Sequence, residues 1–97
     1  MTTDTENGAT WTVRLWMDND EGYYTHWTDR AEYLLENSET PTVDLADEMR
    51  YSIEDEKEGL AIPTSMFTDL LWSALCSVDW HSIADGYLEV AKEEATA

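Results

Sequence analysis

"TWTVRLWM", residues 10–17, decides the fold, because its apolar residues satisfy two periodicities at once. Trp11, Val13 and Leu15 alternate as on a strand, whereas the pairs Trp11/Leu15 and Val13/Trp16 suit a helix. The β-branched Thr and Val tilt local propensity slightly towards a strand.

The segments that follow are easier to read. From Gly22 to Asn37, Tyr23, Tyr24, Trp27, Ala31, Leu34 and Leu35 share one side of a helix. Glu21, Asp29, Glu32 and Glu36 fall on the opposite side. "NSETPT" then breaks the chain, since Pro41 forces an extended or turn conformation before it. A third helix is expected from Thr42 to Gly59, with Thr42 as N-cap and Gly59 as terminator. Its apolar stripe is Val43, Ala46, Met49, Ile53 and Leu60. Asp44, Asp47, Glu48, Glu54, Asp55 and Glu58 occupy an opposing arc of roughly 120°.

Residues 65–77 are apolar on several sides, which predicts the central and most buried helix, with Cys76 as an inert buried thiol. "SVDWHSIADGYLEVAKEE" supplies a last amphipathic helix, with Ile83, Ala84, Tyr87 and Val90 inward and Asp79 or Ser82 at its start. Residues 1–8 and 93–97 read as flexible ends of a single domain spanning 1–97.

Composition bounds the function. With 42% apolar residues, five Trp and five Tyr, the chain is too hydrophobic for a disordered acidic tail. It carries 22 Asp and Glu against 5 Lys and Arg, a net charge of −17. Such a chain repels nucleic acid and anionic membranes, so a basic protein surface is the expected partner. The single cysteine excludes an internal disulfide and a cysteine-rich zinc site. The polar, acidic "MTTDTENGAT" is unlike a signal peptide, and no apolar run approaches the ~18 residues of a membrane span. A cytoplasmic location is the corresponding expectation.

Catalytic and metal-binding patterns are weak. "WMDNDEGYYTHW", residues 16–27, places Asp18, Asp20 and Glu21 before Gly22. Aligning Gly22 with the loop glycine of an EF-hand puts Met17 where the first oxygen ligand belongs and Thr28 where a bidentate glutamate belongs, so the calcium reading fails. His26 and His81 have no zinc partner pattern, and His81 of "DWH", residues 79–81, reads as packed beside Trp80 rather than catalytic. There is no nucleophile elbow and no phosphate-cradling glycine loop. The sequence therefore predicts a protein that is not an enzyme and needs no cofactor or metal.

The acidic rows carry the functional expectation. Duplex DNA presents about one negative charge per 1.7 Å of axis, and a helix rises about 1.5 Å per residue. Carboxylates recurring every third or fourth residue can thus meet the Lys and Arg side chains that contact phosphates. Asp44, Asp47, Glu48, Glu54, Asp55 and Glu58 form one candidate row, with Asp29, Glu32 and Glu36 as a second. Two such rows together would make a rigid array. A salt-adapted acidic protein explains the same charge, since only Lys57 and Lys92 are lysines.

The N-terminal half resembles a family of small acidic proteins of phages and mobile elements, with the pattern N-x-E-T-W-x-x-x-L-W-x-x-N-D-E-G-x-Y. Asn7, Thr10, Trp11, Leu15, Trp16, Asn19, Asp20, Glu21, Gly22 and Tyr24 fit it, whereas Ala9 stands where the family has glutamate. "SVDWHSIADGYL", residues 77–88, is similar to the family's V-D-W-x-x-I-A segment. The resemblance implies a helical fold, so residues 10–17 become a helix. It also implies a mobile-element setting. In charge and size the chain is similar to DNA-mimic inhibitors of the anti-CRISPR and antirestriction kinds. The expected architecture is a small all-α domain of four to five helices with a Trp-rich core and a strongly acidic surface.

Overall fold

Asn7 resolves the ambiguity of the N-terminal segment. Its side chain accepts the Thr10 backbone N–H at 2.9 Å and caps a helix, α1, over Gly8–Asn19. In this computed structural model, which describes residues 7–96, four more helices follow: α2 Glu21–Asn37, α3 Pro41–Gly59, α4 Met66–Cys76 and α5 Trp80–Thr96. The protein is all-α, with no strand among the described residues. Propensity favoured a strand only slightly, and the cap together with apolar packing on α2 and α5 overrides it.

Asp20 alone links the first two helices. It closes α1 through its N–H to the Trp16 carbonyl and opens α2 by accepting the Tyr23 N–H at 3.0 Å. The acidic turn is therefore capping chemistry. Asp18 accepts the buried Tyr87 hydroxyl at 3.0 Å, which ties the turn to α5. No group of three or more metal-ligating side chains comes together among the described residues.

The core lies where α5 packs along α3 and α2, with α1 laid over α2 and the edge of α5. Trp27, Met17, Leu45, Met49 and Ile83 fill it, and Ala31, Ala46, Ala84 and Ala91 let the helices approach closely. Trp27 and Trp80 are buried, while Trp11, Trp16 and Trp72 are exposed, so the core holds two of the five tryptophans. None of the described Asp or Glu side chains is buried.

Several sequence-based assignments need correction. α3 begins at Pro41, so Thr42 is inside it; Thr40 is the N-cap position and makes no side-chain capping bond. Leu45 takes the core position, while Val43 and Leu60 are exposed. On α5, Val90 is exposed and Leu88 and Ala91 are buried. Asp79, not Ser82, caps α5 by accepting the Ser82 N–H at 3.1 Å. The helix runs to Thr96, through residues expected to be frayed. Asn7 and Gly8 belong to α1 and its cap; residues 1–6 and 97, the rest of the expected flexible ends, lie outside the described residues.

The largest correction concerns α4. It has no buried residue and packs closely against none of the other helices, although the sequence made it the centre of the core. Cys76 is exposed with it. The core is closed instead by α5 packed against α2 and α3. The radius of gyration, 14.3 Å, exceeds the roughly 12.5 Å of a compact chain of this length, as a helix standing outside the bundle requires.

Candidate interaction surface

α3 presents the first acidic row. Pro41 at its first position, Asp44 in its first turn and Lys57 in its last match what the helix dipole favours. Leu45, Ala46 and Met49, all nearly inaccessible, anchor the opposite side in the core. The outward face is thus held by the bundle beneath it.

The six carboxylates of this row do different work. Asp44 accepts the hydroxyls of Ser38 and Thr40, closing the turn before α3. Glu48 forms a two-pronged ion pair with Arg30 on α2, both contacts at 2.8 Å. These two are spent on the fold. Asp47, Glu54, Asp55 and Glu58 are engaged in no hydrogen bond or ion pair with any described residue. Asp47, Asp55 and Glu58 are exposed and Glu54 half-buried.

Two features of this face went unread in the sequence. Tyr51, 58% exposed, sits within the row, one turn after Asp47 and one turn before Glu54 and Asp55. Arg50 lies over its ring, 4.7 Å from the centroid, and beside Asp47 and Glu54. The i, i+3 and i, i+4 spacing that defined the row was enough to place Tyr51 in it. An exposed aromatic among carboxylates adds a contact surface of the kind that anchors partners.

The second row does not join the first. Arg30 and Glu32 are two residues apart, so they point to opposite flanks of α2, roughly 200° apart. Arg30 reaches α3, while Glu32 lies against Glu94 of α5. Asp29, Glu32 and Glu36, together with Glu94, line an open hollow of about 540 Å³ between α2 and α5. The single array expected from the two helices is therefore two separate surfaces. A hydrogen bond shared with Glu94, then burial and repulsion from Glu94, Asp29 and Glu36, hold the Glu32 carboxyl above the usual range.

Two tyrosines tie the helices together. Tyr23 donates its hydroxyl to Glu56, and that bond, with burial and the nearby carboxylates, pushes its pKa up to about 12. Burial, then Asp18, raises that of Tyr87. His81, expected beside Trp80, is exposed and makes no ring contact with it, whereas His26, also exposed, packs edge-on to Trp27 at 4.4 Å. No helix among the described residues is long and apolar enough to cross a membrane. Searches against protein-family models, curated proteins and solved structures find no match to this chain.

Proposed function

We propose that this is a non-catalytic DNA mimic that occupies the basic nucleic-acid-binding channel of a host defence complex, of the anti-CRISPR or antirestriction type. The observation that carries this reading is the outward face of α3. Asp47, Glu54, Asp55 and Glu58 stand there without a hydrogen bond or ion pair to a described residue, with Arg50 beside the first two, on a helix anchored by the core. From Asp47 to Glu58 the helix rises about 16 Å at 1.5 Å per residue. One DNA strand presents about five phosphates over that length. Four carboxylates approach that charge count on a scaffold that loses little entropy on binding.

The hollow between α2 and α5, with Asp29, Glu32, Glu36 and Glu94, is a secondary acidic surface. It repels anions as α3 does and so helps steer a cationic partner.

The reading is tested by immobilising the chain and passing over it a host extract at moderate salt. A basic nucleic-acid-binding protein should be retained, and duplex DNA should elute it. The variant D47N/E54Q/D55N/E58Q should retain little of it. Retention that DNA does not reverse, or that the variant keeps in full, rejects the proposal.

A further inference from the structure

We infer that Asp47, Tyr51 and Glu54 on α3 form a slot for one arginine of the partner, a place that the chain's own Arg50 holds until binding. The inference deepens the DNA-like reading of α3 and rests on it for the partner, while the chemistry of the slot stands on the geometry of α3.

Helical spacing builds the slot. Asp47, Tyr51 and Glu54 stand at i, i+4 and i+7, so they share one narrow stripe with the tyrosine between the two acids. Leu45, Ala46 and Met49 are buried on the other side of α3, which turns the stripe outward. A single exposed tyrosine is ordinary. This one already carries a guanidinium: Arg50 Cζ lies 4.7 Å from the ring centroid, and Asp47 and Glu54 both act on the same group. A planar cation over an aromatic ring, flanked by carboxylates, is a chemistry that favours arginine.

A second arginine shows why Arg50 can leave. Arg30 lies 4.8 Å from the Tyr33 ring centroid, and its two 2.8 Å contacts with Glu48 lock it into the join between α2 and α3. Arg50 is exposed and forms no ion pair with a described residue. Stacking on an exposed ring favours the bound position by only roughly two- to fivefold, so the face is vacated for part of the time. An incoming arginine then finds the same ring and the same carboxylates, and the departure of Arg50 takes a positive charge out of the contact. Lysine fits less well, since its ammonium is a compact, strongly hydrated charge that cannot stack as a plane. Surfaces that grip phosphates through the forked guanidinium present the side chain that the slot prefers.

Capped Gly-Arg-Gly and Gly-Lys-Gly peptides, titrated at constant low salt and followed by NMR on the backbone amides around Tyr51, test the slot. Net charge attracts both peptides alike, so the ratio of their dissociation constants isolates the stacking contact. Arg50→Gln should raise the preference for the arginine peptide roughly two- to fivefold over wild type. R50Q/Y51L should lose that gain, and R50Q/Y51F, which keeps the ring, should retain it. Both positions are exposed, so these changes leave the core contacts of α3 in place. A preference that R50Q leaves unchanged, or a gain that survives Y51L, would overturn the inference. A host extract that yields no DNA-displaceable protein rejects the DNA-like reading alone, because the peptide titration needs no host target.

Discussion

Thr10 joins three parts of the chain, and replacing it with valine tests the packing of α1 directly. Its side chain is fully buried. The hydroxyl donates to Asn7 Oδ1 at 3.0 Å and accepts the Asp79 backbone N–H at 2.8 Å. Asn7 in turn donates to the Ser77 carbonyl at 2.7 Å. The cluster therefore pins the start of α1 to the junction between α4 and α5. Valine preserves the shape and β-branching of Thr10, so helix propensity barely changes. It removes one net hydrogen bond, about 1 kcal/mol, and leaves the Asp79 N–H without its acceptor, at least about 1 kcal/mol more. A loss of about 2 kcal/mol in a domain of this size lowers Tm by about 10 °C. Thermal melts followed by far-UV circular dichroism, with urea titrations for the free energy, measure it. Thr10→Ser keeps the hydroxyl and should cost only about 1 kcal/mol for the lost methyl. A Thr10→Val protein within about 0.5 kcal/mol of wild type, or more stable than Thr10→Ser, would refute the reasoning.

Three further outcomes follow from particular contacts. Glu48→Gln breaks the two-pronged pair with Arg30 and should cost about 0.5–1 kcal/mol in urea denaturation, while partner retention stays near wild type. Ala61 adopts a left-handed φ of 53°, so Ala61→Gly should relieve strain and raise Tm by about 3 °C after the glycine entropy is discounted. Glu32 has a raised pKa in the folded state, owing first to its hydrogen bond with Glu94. Its favourable contribution is present below the unfolded carboxylate pKa and is lost as pH rises through the folded value. Glu94→Gln should therefore raise Tm at pH 7, with the gain shrinking as pH falls below about 4; an equal gain at both pH values contradicts the pairing.

The sequence was most informative where a polar face opposed an apolar one. α2 reads correctly because Trp27, Ala31 and Leu34 oppose Asp29, Glu32 and Glu36, and the structure buries the first set. The N-terminal segment was ambiguous because Trp11 and Leu15 looked like core residues, yet both are exposed. What fixes that helix is the Asn7 cap and the buried Thr10 and Met17, a polar pair and a methionine that apolar periodicity undervalues. α4 was misread because hydrophobicity alone does not say what covers a surface. The α3 row was legible as a row. Which members were free was not, since the Arg30–Glu48 pair and the Ser38–Asp44 bond depend on how α2 meets α3. Nor could spacing within α2 show that its carboxylates turn to Glu94 on α5, a contact 62 residues away along the chain.

The central claim is that the outward carboxylates of α3 compete for the same cationic surface as nucleic acid. The most direct measurement is a competition titration, with labelled duplex DNA bound to the retained basic protein and this chain added at constant salt. The account predicts displacement of the DNA by wild type, a loss of potency of at least tenfold for D47N/E54Q/D55N/E58Q, about 1.4 kcal/mol, and near-wild-type potency for Glu48→Gln. Undiminished displacement by the quadruple variant, or no displacement by wild type at any concentration, would contradict it.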